Sequence, residues 1–299
     1  MFDFLIARKQ SQNVGQVKVS FRKLKAQIYW PTTDQKARGS NPCRRTNHEV
    51  LRYNSSIMTS SPESQANEEI NKIIASKNIK PESIIESPMF YSSRQTITKI
   101  LTRIKLFEKI REIQGSVVEC GVYKADSLLT YFHLSNIFEP FSFTRKIIGF
   151  DTFTGFPNIS NNDPEHAKIS YLNNVDFELI QKIVVAQEKN KAIPAINKIE
   201  LIQGDATLTI PKYVEDNPHL IISLLYLDFD LYEPTKKALE LIDESISVGG
   251  VIVFDEALSS EWPGETLAMK EYLELSDKKF KTVSNTLSRQ PTLALIRVE

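Results

Sequence analysis

The chain has 299 residues, enough for one large α/β domain with an appendage or for two smaller domains. Hydrophobic residues make up 41% and charged residues 25%, which is typical of a soluble globular protein with a sizeable core. Basic and acidic side chains balance at 37 each, which argues against a bulk polyanionic partner, and no apolar run approaches the roughly 18–20 residues that span a bilayer.

Cysteine usage and the N-terminus indicate the compartment. The chain has two cysteines, Cys43 and Cys120, and the second lies in an apolar run that reads as a buried strand. A disulfide framework is therefore not expected, and a reducing compartment is the default. Residues 1–7 carry no basic flank before their short apolar stretch, so they make a poor secretory signal. We expect a cytoplasmic protein.

Residues 1–60 form a basic segment without sustained helical or strand periodicity. Residues 1–57 hold 11 basic and 3 acidic side chains, a net charge of +8, which leaves 26 basic and 34 acidic ones in the remainder. The segment is interpreted as a disordered extension. It could instead be a transit peptide or an arm that touches an anionic partner, and translation could begin at Met58.

Residues 61–90 are interpreted as a linker that contains a short helix over 68–76, with breaks at Pro81 and Pro88. The domain that carries the function is expected over 91–299. Its first element is a helix, because apolar residues from Ile97 to Ile113 repeat at helical spacing before Gly115.

From residue 117 onwards, short apolar runs alternate with helical segments, which predicts a doubly wound α/β sheet of the Rossmann-like type. Such runs suit strands that are covered on both faces. The predicted strands are 117–120, 146–150, 199–203, 221–227 and 250–254, and the predicted helices are 125–138, 176–190, 206–215, 233–246 and 264–276.

The end of the chain differs from this alternation. Residues 280–285 and 292–298 read as two strands joined by a short turn-like segment, so we expect the seven-stranded sheet to close with an antiparallel hairpin. Common nicotinamide-binding sheets are parallel throughout, whereas a terminal hairpin is typical of the methyltransferase version of the fold.

Acidic residues and a glycine stand where the first three strands end, the edge at which open α/β sheets bind ligands. Glu119 lies near the end of the first strand and Gly121 follows it, without the G-x-G-x-x-G that a pyrophosphate needs. Asp151 suits ribose hydroxyls, and Asp205 suits an adenine amino group or a helix cap. The candidate cofactor residues are Glu119, Gly121, Val122, Tyr123, Ser127, Asp151, Thr152, Asp205, Ala206 and Asp228.

Three more carboxylates follow the fourth and fifth strands, which are neighbours in this topology. We expect Asp228, Asp255 and Glu256 to converge, and close carboxylates repel one another unless a cation lies between them. Oxygen ligands favour Mg²⁺ or Ca²⁺ over zinc, and such an ion could orient a substrate hydroxyl and lower its pKa. Asp230 could join this site or cap the next helix.

Other candidates carry weaker signals. His133 falls in a predicted helix beside Phe132 and is interpreted as a packed residue. His166 lies in the long segment 152–175, which could line an acceptor pocket, and Trp262 with Pro263 could form an apolar wall. Acceptor specificity is expected in residues 85–100, 152–175 and 257–266.

Four ordered motifs together resemble the macrocin O-methyltransferase family over residues 85–299. They are the segments 117–122 (VVECGV), 149–157 (GFDTFTGFP), 227–235 (LDFDLYEPT) and 248–256 (VGGVIVFDE). The chain departs from the family in having Glu256 where aspartate is usual. It also has Lys124-Ala125-Asp126-Ser127 where the family has a glycine-rich turn.

The resemblance implies an S-adenosylmethionine-dependent, Mg²⁺-assisted O-methyltransferase of natural-product biosynthesis that acts on a sugar hydroxyl of a small-molecule acceptor. It implies that Asp228 is a metal ligand and the general base, with Asp255 and Glu256 completing the metal site. Members often associate, so a homo-oligomer is expected, without nucleic acid or membrane partners. Two alternatives stay open: a nucleic-acid methyltransferase that uses residues 1–57 as a basic arm, and a non-catalytic protein that retains the fold.

Overall fold

The computed structural model describes residues 62–169, 175–283 and 287–299. The interpretations of residues 1–60, as an extension, an arm or a segment before an internal start, lie outside the described residues. Among the described helices, none is both long and apolar enough to cross a membrane.

Within the described residues, seven strands form one sheet in the spatial order β3-β2-β1-β4-β5-β7-β6. The strands are β1 (Ser116–Cys120), β2 (Ile147–Asp151), β3 (Ile199–Gln203), β4 (Ile222–Leu227), β5 (Ile246–Phe254), β6 (Phe280–Val283) and β7 (Leu293–Arg297). Strands β1 to β5 pair in parallel, and β7 is antiparallel to both β5 and β6. The predicted doubly wound, seven-stranded sheet with its C-terminal hairpin is confirmed.

Helices cover both faces of the sheet, which explains why its central strands are apolar throughout. The α-helices of the described part are α1 (Pro62–Ser76), α2 (Pro81–Glu86), α3 (Pro88–Tyr91), α4 (Arg94–Ile110), α5 (Asp126–Phe138), α6 (Phe177–Glu188), α7 (Ala206–Asp216), α8 (Tyr232–Ile242) and α9 (Pro263–Leu275). Side chains of α4, α5 and α6 build the core on one face. Those of α7, α8 and α9 build it on the other.

Some element boundaries differ from the predictions, and the following differences have physical reasons. The helix predicted over 233–246 ends at Ile242, and a 3₁₀ turn leads directly into β5 at Ile246. Ile246 is buried, and a single buried apolar residue suits the end of a helix as well as the start of a strand. Pro81 and Pro88, which read as breaks, stand at the first positions of α2 and α3, where the missing N–H of proline costs nothing.

Candidate active site

A cavity of about 330 Å³ lies at the carboxyl ends of β1 to β5. This is where the strand order reverses between β1 and β4, and it is the edge at which open α/β sheets bind ligands. Seven of the ten predicted cofactor residues line it, namely Gly121, Tyr123, Asp151, Thr152, Asp205, Ala206 and Asp228. The predicted metal residues Asp255 and Glu256 line the same cavity.

Gly121 is required where β1 meets the end of β4. The N–H of Asp228 donates to the carbonyl of Cys120 at 2.7 Å, which brings the two strand ends together. Gly121 has φ +94°, and an added Cβ would lie 2.0 Å from the carbonyl oxygen of Asp228. The glycine therefore permits close contact between two strands as well as access to the cavity.

Asp151 organises the turn after β1. Its Oδ2 accepts hydrogen bonds from the N–H groups of Val122 at 2.7 Å and Tyr123 at 2.8 Å. Its Oδ1 accepts from the N–H of Phe153 at 2.6 Å. Tyr123 and Ala125 both have positive φ, a backbone conformation that glycine adopts more easily than residues with a side chain. The sequence suggests that Asp151 is a ribose ligand, a solvated turn residue or a cap on the next segment; the bond from Phe153 is such a local cap, and the ribose contact stays a prediction.

Asp205 is the N-cap of α7 and also lines the cavity, so the two roles considered for it are compatible. Its Oδ1 accepts from the N–H of Thr207 at 2.9 Å. Its Oδ2 accepts from the Nδ2 of Asn158 at 2.9 Å, which ties the segment after β2 to the start of α7. The adenine contact expected of Asp205 stays a prediction.

Three predicted cofactor residues, Glu119, Val122 and Ser127, are buried and do not border the cavity in this structure. Glu119 is 1% exposed, and its Oε2 has no hydrogen-bond partner within the described residues. Burial raises the pKa of Glu119 to about 8, although the nearby guanidinium of Arg103 opposes that shift. An acidic side chain held in this way keeps one oxygen free for a donor, and its contact with a cofactor stays a prediction.

Carboxylates crowd the part of the cavity beside β4 and β5. Burial, reinforced by the charge of Asp255, raises the pKa of Asp228 well above its ordinary value. Burial and the charge of Glu256 raise the pKa of Asp230 to about 8. Burial also raises the pKa of Asp255 to about 6, against a hydrogen bond from the Tyr226 hydroxyl to its Oδ1 at 2.5 Å. Asp228, Asp255 and Glu256, which were expected to converge, all line this one cavity.

Asp230 belongs to this cavity and does not cap α8. The residue before α8 is Leu231, and the N–H of Tyr232 donates to Oδ1 of Asp163 at 2.7 Å. The cap thus comes from the segment after β2, a contact that sequence spacing does not show. Asp230 has φ +61° and lines the cavity.

The carboxylates share a cavity without forming a preorganised metal cage. Within the described residues, no group of three histidine, cysteine, aspartate or glutamate side chains is arranged to hold a metal ion. Asp255 accepts from Tyr226, and Oε1 of Glu256 accepts from the Nε2 of Gln290. The expected metal site therefore stays a prediction.

Aromatic and apolar residues form another part of the cavity wall. Phe156, Leu231 and Trp262 line the cavity. The Trp262 ring makes edge contacts with the rings of Phe156 at 5.9 Å and His166 at 4.6 Å between centroids. The predicted wall is formed by Trp262, while Pro263 begins α9. His133 is half-buried against Phe132 and away from the cavity, as its interpretation as a packed residue requires.

Two cavity residues were not singled out from the sequence. Lys99 lies on the exposed side of α4, inside the segment in which specificity was expected, and Gln290 precedes β7. The helical periodicity of α4 identifies its core side, but it does not show that the polar side borders a cavity.

A sheet of this strand order, with one antiparallel strand and a cavity of this composition at the β1/β4 edge, is the architecture of S-adenosylmethionine-dependent methyltransferases. The macrocin O-methyltransferase family model matches residues 88–281. The chain belongs to this family and is an S-adenosylmethionine-dependent O-methyltransferase.

Solved structures agree with this assignment. The crystal structure of CalS11, a calicheamicin methyltransferase, is 28% identical with a TM-score of 0.73, covering 85% of this chain and 99% of that one. An apo structure of CalS11, described as a TDP-rhamnose 3'-O-methyltransferase, is 27% identical with a TM-score of 0.66, covering 81% and 96%. The O-methyltransferase NovP shares the fold at 18% identity and a TM-score of 0.55, covering 68% and 81%. No curated protein sequence matches the chain.

Proposed function

We propose that this enzyme methylates a hydroxyl of a sugar-containing small molecule in natural-product biosynthesis, with help from a bound Mg²⁺ ion. The observation that carries the proposal is that one cavity joins the cofactor edge of the sheet to a carboxylate cluster and an aromatic wall. The similarity to CalS11, described as acting on TDP-rhamnose, supports a sugar as the acceptor.

The two ends of the cavity have different tasks. In the proposal, Gly121, Asp151 and Asp205 hold the nucleoside part of S-adenosylmethionine, as their strand-end positions suggest. The cofactor supplies an electrophilic methyl group. The acceptor lies between Trp262 and the carboxylates, where the aromatic ring covers an apolar face of the sugar and orients the reacting hydroxyl.

The carboxylates also suit the proposed metal. Asp228, Asp255 and Glu256 offer hard oxygen donors of the kind that Mg²⁺ prefers, and their mutual repulsion would fall when a cation is present. To bind the metal ion, Glu256 would give up the hydrogen bond that it accepts from Gln290. A cation held there would supply a Lewis acid that stabilises the alkoxide form of the acceptor.

Asp228 is the proposed general base. Asp228 lines the cavity beside Asp255 and Glu256, so a hydroxyl that is held among these carboxylates would lie within reach of its side chain. A carboxylate oxygen of Asp228 would take the proton of the acceptor hydroxyl. Bound S-adenosylmethionine would supply the methyl group to the acceptor oxygen and would leave as S-adenosylhomocysteine, so that the acceptor becomes a methyl ether.

The replacement Asp228→Asn tests this role because it keeps the size of the side chain and removes the base. We expect methyl transfer to a sugar acceptor such as TDP-rhamnose to fall by about 10²–10⁴-fold in kcat, the usual contribution of a general base. Calorimetry should find S-adenosylmethionine affinity nearly unchanged. Glu233→Gln, at an exposed position five residues further on, is the matched control and should retain full activity.

Two results would contradict the proposal. Equal loss of cofactor binding in Asp228→Asn would remove the assigned role of Asp228. A wild-type protein that binds no S-adenosylmethionine at high concentration would support the non-catalytic alternative. The nucleic-acid alternative gains nothing from the cavity, because Asp151, Asp205, Asp228, Asp230, Asp255 and Glu256 all line it and would repel a polyanion.

A further inference from the structure

The turn that carries Asp255 and Glu256 is held by the first turn of α9. The N–H of Asp255 still belongs to the sheet and donates to the carbonyl of Leu227 at 2.9 Å. The next N–H, that of Glu256, leaves the sheet and donates to Oε1 of Glu265 at 3.0 Å. Thus one carboxyl side chain holds the first backbone N–H that leaves the sheet.

A second contact extends this anchor. The N–H of Leu258 donates to Oγ1 of Thr266 at 2.8 Å, so two consecutive residues of α9 hold the backbone of the turn. Gly264, just before them, has no room for a side chain, because an added Cβ would lie 2.3 Å from Oδ1 of Asp163. The first turn of α9 is therefore fixed tightly against the segment that follows β2.

A buried glutamate at position 265 lowers the stability of the fold, so a purely structural role does not explain it. Its side chain is 0% exposed, and its Oε2 has no hydrogen-bond partner within the described residues. It makes no ion pair within the described part of the chain. Burying a carboxyl group with one oxygen unpartnered costs stability, which an apolar residue would avoid.

We propose that Glu265 is a positioning residue that directs the side chains of Asp255 and Glu256 into the cavity by holding the N–H of Glu256. The proposal rests on the metal-assisted function given above. Metal ligands are commonly oriented by a second layer of hydrogen-bonding groups, and losing such a group typically weakens metal affinity about 10–100-fold. Glu265 acts through the backbone of a ligand residue and does not touch the metal.

Two replacements in the full chain test this role, with Mn²⁺ as the probe and electron paramagnetic resonance as the measurement of binding. Glu265→Ala removes the accepting oxygen and should weaken Mn²⁺ affinity about 10–100-fold. Glu265→Gln keeps a carbonyl oxygen at the same distance along the side chain, so its affinity should stay close to that of the wild type.

Ser135→Ala is the control for general destabilisation. Ser135 is buried and accepts a hydrogen bond from Nζ of Lys198 at 2.7 Å, and Lys198 immediately precedes β3 at the amino-terminal edge of the sheet. This variant should lower the unfolding temperature without changing Mn²⁺ affinity.

The results of these measurements distinguish a failure of the positioning role from a failure of the proposed metal site. Wild-type affinity in Glu265→Ala would overturn the proposal. Equal loss in Glu265→Gln would also overturn it, because glutamine keeps the oxygen that accepts from the N–H of Glu256, so that hydrogen bond would not be what sets the affinity. If the wild type binds no Mn²⁺, the metal part of the proposed function fails, and amide exchange over residues 255–259 decides the role of Glu265. If these amides exchange faster in Glu265→Ala but not in Glu265→Gln, the positioning role of Glu265 is supported. Unchanged exchange in Glu265→Ala would contradict it.

Discussion

At the scale of single residues, Gly121 has the tightest geometric requirement in the cavity. Its positive φ would cost a residue with a side chain roughly 1–3 kcal/mol. The clash with the carbonyl of Asp228 adds to that cost, because neither backbone can move without breaking the pairing of β1 with β4.

We therefore expect Gly121→Ala to lower the unfolding temperature and to abolish S-adenosylmethionine binding. Gly249→Ala is the matched control. Gly249 also has positive φ, +86°, but its added Cβ would meet only the end of the flexible Ile113 side chain. Thermal unfolding and calorimetry should show that Gly249→Ala is destabilised while its cofactor affinity is retained. Normal cofactor binding by Gly121→Ala would show that the close approach at Gly121 is not needed.

Glu119 makes stability depend on pH. Burial raises its pKa from an ordinary 4.5 to about 8 in the folded state. Between these values the unfolded chain releases the proton while the folded chain keeps it, so the contribution of Glu119 to stability falls as the pH rises. The slope is at most about 1.4 kcal/mol per pH unit.

The replacement Glu119→Gln removes this slope. Urea unfolding at several pH values should show the variant gaining stability relative to the wild type as the pH rises from about 5 to about 8. A stability difference that does not change with pH would mean that Glu119 is ionised in the folded protein.

At the scale of elements, Asp163 connects the segment after β2 to α8. Its Oδ1 caps Tyr232, and its Oδ2 accepts from the N–H of Ser160 at 2.8 Å. The same segment carries Phe156, which contacts Trp262 in the acceptor wall. A capping contact therefore also sets the position of part of the proposed acceptor site.

We expect Asp163→Ala to destabilise the protein by about 1 kcal/mol, as the loss of a helix cap usually does, and to raise the KM for the acceptor. Asp176→Ala is the matched control. Asp176 caps α6 by accepting from the N–H of Leu179 at 2.9 Å, and it does not border the cavity. For Asp176→Ala we expect a similar loss of stability and an unchanged KM for the acceptor. An unchanged KM for the acceptor in Asp163→Ala would show that the cap on α8 does not affect acceptor binding.

At the scale of the whole molecule, the sheet brings together residues that are up to about half the chain apart. Cys120 pairs with Leu227, and Leu227 pairs with Phe254, so the residues that follow these strands must meet at one edge. That convergence follows from parallel pairing alone. Each strand end carries only one or two carboxylates, and their convergence produces an acidic cavity.

Much of this architecture could be read from the chain. The apolar runs before Gly121, Asp151 and Asp228 predicted β1, β2 and β4, because strands buried on both faces leave a simple pattern. Acidic residues directly after those strands could be assigned to the cavity, since strand direction is known once the sheet is parallel. The cytoplasmic location, the oligomer and the role of residues 1–60 stay predictions.

Contacts between loops and distant helix ends could not be predicted from the sequence. Asp163 caps Tyr232 from 69 residues away, and Glu265 holds the N–H of Glu256 from the next helix. Loop paths have no periodicity, and a buried carboxyl at the start of a helix resembles an ordinary N-terminal acidic residue. The sequence by itself determined the alternation of parallel strands and helices with its terminal hairpin, the cofactor edge and most of the carboxylates that reach it. Only the tertiary structure decided how those carboxylates are held, because their partners come from segments whose positions depend on packing.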